Sequence, residues 1–193
     1  MKWHPALLTG GLASGLILGL AFAAPVQAQS VDDRLANQAN RISGGIRDGS
    51  LTSGEAARLE RKESHIAREE QRFKADGNLS TTERAKLGRD LNHASTDIYR
   101  ERHDAQVNPN PNSPMDQRRA NQENRIATGI RDGSLTPGET ARLQRQQARV
   151  SGKEARFKRD GNLGPRERRQ LWRDENRASR NIWRERHNGG RGQ

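Results

Sequence analysis

The chain has 193 residues, with 35 Lys and Arg against 24 Asp and Glu, a formal net charge of +11, no Cys, and only 30% hydrophobic residues. This composition leaves little apolar material for the walls of a water-excluding catalytic cleft, which disfavours a large globular enzyme. The lack of Cys also excludes thiol catalysis, disulfides and Cys-based metal sites. We therefore predict a protein that is not an enzyme and needs no cofactor.

The N-terminus has the features of a secretory signal peptide. A basic start, a long apolar middle and small residues ending at Ala28 are typical of an export signal that is removed. We predict cleavage after Ala28, which places the mature protein in the periplasm or outside the cell. The alternative is an uncleaved membrane anchor, because Gly11, Gly15 and Gly19 have the four-residue spacing of close-packed membrane helices. Without such an anchor, any membrane contact is predicted to be peripheral.

The rest of the chain contains one unit twice. After a shift of 84 residues, Arg34–Asp104 aligns with Arg118–Asn188 without a gap, and 42 of the 71 aligned residues are identical. Such self-similarity is the pattern of a duplicated structural unit. The Pro- and Asn-rich segment between the copies is typical of an extended, semi-rigid linker. The predicted domains are a signal peptide (1–28), a first helical unit (29–104), a linker (105–117), a second helical unit (118–188) and a disordered tail (189–193).

Each unit contains three segments in which apolar residues have helical spacing. In the first segment Leu35, Ala39, Ile42 and Ile46 recur at three- and four-residue steps, and the other segments have similarly narrow stripes. Narrow stripes are typical of elongated antiparallel helices that meet along a coiled-coil-like seam. We predict an all-α fold of two homologous elongated three-helix units. Each would have a thin core, which a homo-oligomer or a bound partner would help to stabilise.

Asp-Gly-x-Leu turns join the helices, and four copies begin at Asp48, Asp76, Asp132 and Asp160. The Gly can take the left-handed conformation that closes a helix, and the Ser or Thr that follows Leu, with Glu three residues later, predicts a capping box on the next helix. The turns are therefore predicted to be helix–turn–helix connectors. The last copy has Gly164 in place of the capping hydroxyl, so its cap should be weaker.

The run Asp-Gly-x-Leu-[Ser/Thr]-x-x-Glu resembles the second half of an EF-hand calcium loop. The chain is similar to uncharacterised exported bacterial helical-repeat proteins with degenerate EF-hand-like turns, a resemblance that implies no known activity. Gly44 and Ile46, like Arg72 and Lys74, stand where such a loop has its first acidic ligands, so calcium binding should be weak or absent. The alternative is a divalent-cation sensor whose ligands would be Asp48, Glu55, Asp76, Glu83, Asp132, Glu139, Asp160 and Glu167.

The excess positive charge lies in the second half of the chain. Residues 29–104 carry 14 basic and 14 acidic side chains, whereas residues 105–193 carry 20 and 10. The last helix of the second unit also has Trp172 and Trp183, where the first unit has Gly and Tyr, and about three helical turns separate the two indoles. The predicted surface-binding residues are Arg166, Arg168, Arg169, Trp172, Arg173, Arg177, Arg180, Trp183 and Arg184. The alternative is that the indoles widen the core stripe and the arginines keep the protein soluble.

Together these patterns predict an exported, non-enzymatic binding or scaffold protein of the cell envelope, with a stress-related or chaperone-like role as one form of that function. The predicted partner of the basic unit is an anionic envelope component, such as lipopolysaccharide, anionic phospholipid or a cell-wall polymer, or an acidic protein. An Arg-rich helix would also attract nucleic acid. Export makes nucleic acid an improbable natural partner.

Overall fold

A computed structural model describes residues 29–188, and the predicted signal peptide and C-terminal tail lie outside this range. Of the helices in this range, the second and the fifth along the chain are each extended by a short 3₁₀ segment, Lys74–Asp76 and Lys158–Asp160 respectively. No strand occurs in residues 29–188, so the prediction of an all-α fold is confirmed. The six helices are α1 (Val31–Asp48), α2 (Ser53–Phe73), α3 (Thr81–Arg102), α4 (Pro114–Arg131), α5 (Pro137–Phe157) and α6 (Pro165–Arg186).

The helix ends follow the predicted turn chemistry. All four Asp-Gly glycines have positive φ, from 72° at Gly133 to 88° at Gly77. At the start of α2, the Thr52 N–H donates to Glu55 Oε2 at 2.8 Å, and the Glu55 N–H donates to the Thr52 hydroxyl at 3.3 Å. The same reciprocal box begins α3 and α5. At α6 the Gly164 N–H still donates to the Glu167 carboxylate. Gly164 has no side chain, however, to accept the Glu167 N–H in return. The prediction of helix–turn–helix connectors is thus confirmed.

The two copies pack against each other as a single helical bundle. We call residues 29–104 the first repeat and residues 118–188 the second. Helix α2 lies antiparallel along α5, and α1 lies antiparallel along α4, and these are the most extensive contacts between helices. Small residues allow the close approach of α2 and α5, where Gly54 faces Ala155 and Gly152 faces Ala57. Helices α3 and α6 cover the outside of their own repeats.

The apolar stripes of the two repeats form shared clusters. Leu35 and Ile66 of the first repeat belong to the same buried cluster as Ile126 and Leu143 of the second. A second cluster joins residues of α1, α2 and α3 to Ala120 of α4. The stripes that looked too thin for a stable unit are therefore covered within the chain, each by the other repeat.

The connection between the repeats is held against the bundle. Asn108 is buried, its N–H donates to the Gly49 carbonyl at 2.8 Å, and its side-chain amide donates to Asp116 at 3.1 Å. Helix α4 begins at Pro114, so its first turn falls within the predicted linker, residues 105–117. The sequence pattern predicts a spacer, but the structure shows a docked loop. The loop is held in place because the Asn108 N–H bonds to the Gly49 carbonyl and the Asn108 side-chain amide bonds to Asp116.

Candidate anion-binding surface

Helix α6 exposes the residues that the charge pattern singled out. Its buried side is the stripe Leu171, Glu175, Ala178 and Ile182, so the residues beside this stripe face outward. Trp172 is 37% exposed and Trp183 is 60% exposed, and the alternative that the indoles widen the core is therefore wrong. All nine predicted residues are exposed, namely Arg166, Arg168, Arg169, Trp172, Arg173, Arg177, Arg180, Trp183 and Arg184.

The two indoles line adjoining grooves between α4 and α6, with volumes of about 410 and 420 Å³. The Arg118 guanidinium lies 4.4 Å from the ring centroid of Trp172, a cation–π contact. Trp183 stacks on His187 with ring centroids 4.7 Å apart, and the His187 Nδ1 lies 2.6 Å from the Trp183 carbonyl oxygen. Arg118 and Arg125 line both grooves. The α4–α6 face thus combines aromatic rings with guanidinium donors.

A larger groove, of about 860 Å³, runs between α5 and α6. Asp174 and Glu185 are its acidic residues; Lys153 pairs with Asp174, and Arg142 lies 3.8 Å from Glu185. Among residues 29–188, the other four arginines of α5 and α6 in this groove have no carboxylate within 4.0 Å. Helices α5 and α6 thus leave four unpaired cations to face the groove. The basic residues that α5 and α6 contribute are Arg142, Arg145, Arg149, Lys153, Arg156 and Arg177, and α2 adds Arg61.

The equivalent face of the first repeat, between α2 and α3, is close to neutral. The positions equivalent to the α5 and α6 residues of the groove carry five basic and four acidic side chains there, against six basic and two acidic in the second repeat. Lys86 binds Glu69 at 2.7 Å and Asp90 at 2.9 Å, and Lys62 pairs with Asp97. Three of the five basic side chains on this face therefore have a carboxylate within 4.0 Å, against two of the six on the α5–α6 face.

The sequence prediction identified only part of this surface. Of the predicted residues, Arg177 lines the α5–α6 groove, while Trp172, Arg180 and Trp183 line the grooves beside α4. The remaining five, Arg166, Arg168, Arg169, Arg173 and Arg184, line none of the three. The basic residues of α5 were missed. Comparison of the repeats could have found two of them, since Arg149 replaces His65 and Lys153 replaces Glu69.

The acidic residues of the Asp-Gly turns are occupied by the turns themselves. Asp48 accepts hydrogen bonds from Ser50 and pairs with Arg102 at 2.7 Å. Burial would raise the pKa of Asp48, but the Ser50 hydrogen bonds and the Arg102 charge hold it below the usual value. Asp132 repeats these contacts with Ser134 and Arg186. Within residues 29–188, no turn Asp approaches its own Glu as part of a three-ligand metal cluster.

A further set of charged groups is buried where the repeats meet. Arg119 is 1% exposed, contacts Glu154, and lies 3.6 Å from Asp116. Burial raises the pKa of Glu60 to about 7, against the opposing effect of the Arg119 charge. Burial likewise raises the pKa of Glu63 to about 8. These groups are closed off from solvent, so they bear on stability and not on ligand contact.

No protein family, curated protein or solved structure matches this chain. In the part of the chain that the structure describes, none of the helices combines the length and the apolar character needed to cross a membrane.

Proposed function

We propose that the protein is an exported, non-enzymatic binding or scaffold protein of the cell envelope, whose second repeat contacts an anionic partner. The observation that carries this proposal is the α5–α6 groove, in which arginines without carboxylate partners face one another across a concave surface. The corresponding face of the first repeat is crossed by ion pairs. Within residues 29–188, four cations on this face of the second repeat thus lack a carboxylate partner, against two on the equivalent face of the first.

The chemistry of arginine fits this role. A guanidinium is always charged, and its planar set of N–H donors binds carboxylate or phosphate groups in a bidentate manner. A cleft lined by one sign of charge also concentrates the electrostatic potential and speeds the approach of the opposite charge. A groove, unlike a flat face, suits an extended chain. We therefore favour an anionic envelope component with an extended chain and phosphate or carboxylate groups, and lipopolysaccharide is our leading candidate.

The α4–α6 face supports the same function. Trp172 and Trp183 offer partly exposed aromatic rings next to Arg118, Arg125 and Arg180. Amphipathic rings among cations are typical of surfaces that contact the interface of an anionic assembly. Contact there would change the surroundings of both indoles, which makes tryptophan emission a direct reporter.

Calorimetric titration of the purified protein with lipopolysaccharide at low ionic strength tests the proposal, and tryptophan emission reports whether the α4–α6 face is also contacted. We expect saturable binding that weakens as salt is added, because the groove acts through charge. Parallel titrations with anionic phospholipid vesicles and with an acidic polypeptide identify the preferred class of anion. If none of the three binds at low ionic strength, the proposed function is wrong.

A further inference from the structure

Three carboxylates of the first repeat converge where α2 begins and α3 ends. Glu55 is in the first turn of α2, Glu101 is in the last turn of α3, and Asp104 follows the residue that caps α3. One oxygen from each lies within 4.8 Å of the other two. The C-terminal end of α3 adds its own negative potential to theirs.

One of these carboxylates is buried with an oxygen unused. The Glu55 side chain is 0% exposed, and its Oε2 accepts the N–H of Thr52 as part of the capping box. Its Oε1 is also buried and has no hydrogen-bond partner among residues 29–188. Arg58 lies 3.9 Å from that oxygen and instead binds Glu101 at 2.8 Å. A buried carboxylate oxygen without a donor is costly, and a cation bound at this oxygen would offset that cost.

The second repeat shows what can fill that place. Its equivalent residues are Glu139, Glu185 and Asn188. The Asn188 amide donates to Glu139 Oε1 at 2.6 Å and lies 3.4 Å from Glu185 Oε2. Burial would raise the pKa of Glu139, but hydrogen bonds from Thr136 and Asn188 lower it. An amide N–H group thus satisfies the oxygen that is left without a donor in the first repeat, where Asp104 has none to offer.

We propose that Glu55, Glu101 and Asp104 form a divalent-cation site that only the first repeat possesses, with Ca²⁺ as its preferred ion. Oxygen-only ligands select hard cations. Ca²⁺ accepts carboxylate ligands in flexible geometry, whereas Mg²⁺ demands near-ideal octahedral geometry and gives up its water reluctantly, so a site of three side-chain carboxylates suits Ca²⁺ better. With Arg58 beside them, the three carboxylates leave two negative charges, which a divalent ion balances.

This site shares Glu55 with the first EF-hand-like turn but differs from such a loop in its other ligands and in its role. None of the Asp residues of the Asp-Gly turns belongs to it. A bound ion would instead join the start of α2 to the end of α3 and to the first residue of the connection to α4. It would therefore fix the corner at which the chain leaves the first repeat.

Calorimetric titration of the protein with CaCl₂, and separately with MgCl₂, tests the site. We expect one Ca²⁺ site in the unaltered protein and weaker binding of Mg²⁺. Asp104→Asn copies the arrangement of the second repeat and should weaken Ca²⁺ binding by at least about tenfold, because one anionic ligand is lost. Asn188→Asp copies the first repeat and should add a second Ca²⁺ site.

A control in the turns separates this site from the EF-hand-like alternative. Asp76→Asn removes a turn carboxylate but keeps an oxygen that can accept the Asn78 N–H, so it should leave Ca²⁺ binding unchanged. Circular dichroism would verify that each variant is folded. The proposal is overturned if millimolar Ca²⁺ gives no binding heat, if Asp104→Asn titrates like the unaltered protein, or if Asp76→Asn is the variant that loses the site.

Discussion

The inner faces of the two repeats differ at matched positions. The first repeat has Leu35 and Leu91 in its core, whereas the second has Arg119 and Glu175 at the equivalent places, also buried. The exchange places a buried cation in the second repeat. Its charge favours the ionised form of Glu60 in the first repeat and so opposes the rise in pKa that burial causes. The duplicated halves have thus diverged so that the inner face of each fits that of the other. Neither inner face is suited to exposure to solvent.

Their outer faces differ in another way. On α2 and α3, acidic partners such as Glu69 and Asp97 bind the nearby lysines. On α5 and α6, Lys153 and Asn181 occupy the positions of these two carboxylates. The repeats share helix boundaries and caps because those depend on local sequence. Divergence at the inner and outer faces therefore changed packing and charge without changing the fold.

The largest effect is expected from removing the buried cation. Arg119→Leu introduces the residue of the first repeat but leaves Glu175 buried without its counter-charge and leaves Glu154 with Lys158 as its remaining cation. We expect the free energy of unfolding to fall by about 3–5 kcal/mol, measured by urea denaturation. Adding Glu175→Leu restores the matched pair of the first repeat and should recover part of the loss. Unchanged stability of the single variant would show that Arg119 does not balance the buried carboxylates.

A smaller effect is expected from pH. Burial raises the pKa of Glu60 to about 7 and that of Glu63 to about 8, from an ordinary 4.5. Between those limits the folded protein binds more protons than the unfolded chain, so its stability should fall as pH rises, by up to about 1.4 kcal/mol per pH unit for each carboxyl. Below this range the opposite trend should begin, because the pKa values of Asp48 and Glu154 are lowered.

Urea denaturation at about pH 6 and about pH 9 measures this dependence. Glu63→Gln provides the matched control, because Gln147 is the equivalent residue of the second repeat. That variant should lose less stability at high pH than the unaltered protein. A protein equally stable at both pH values would mean that these carboxyls titrate normally.

The smallest effect is expected at the cap of α6, which lacks a side-chain hydroxyl. Gly164→Ser gives α6 the hydroxyl that Ser80 gives α3, and it should raise the free energy of unfolding by a few tenths of a kcal/mol. The reverse exchange, Ser80→Gly, should lower it by a similar amount. Thermal unfolding of the two variants measures both changes, and a destabilised Gly164→Ser would contradict the equivalence of the caps.

The helices and their ends could be predicted because short-range patterns determine them. Apolar residues such as Ile42 and Ile46 recur with helical spacing, and Thr52 with Glu55 defines a cap within four residues. The positive φ values of the turn glycines follow from the same local chemistry. No knowledge of distant contacts was needed for any of these features.

The packing of one repeat on the other could not be predicted in this way. From the sequence, Glu60 and Glu63 on α2 look like part of a solvated helix surface. They are buried only because the second repeat packs against the first. The candidate anion-binding surface could be predicted only in part, because it too depends on which helices lie next to each other. The arginines of α6 stand out in composition, but the role of Arg149 depends on which helix lies beside α6. Glu55 and Asp104 are likewise far apart in sequence, and only the fold brings them together.

The difference between the repeats is tested most directly by the affinity of the protein for lipopolysaccharide after two matched exchanges. Arg149→His with Arg177→His gives the α5–α6 groove the residues of the first repeat, His65 and His93. Arg159→Ala with Arg169→Ala removes the same charge outside the groove, again using first-repeat residues, Ala75 and Ala85.

We predict that at low ionic strength the groove exchange weakens lipopolysaccharide binding by about tenfold or more, and that the exchange outside the groove weakens it by less than about twofold, because Arg159 and Arg169 line none of the three grooves. Equal losses from the two exchanges would show that the protein attracts anions through its overall charge, and would contradict a binding role for the groove.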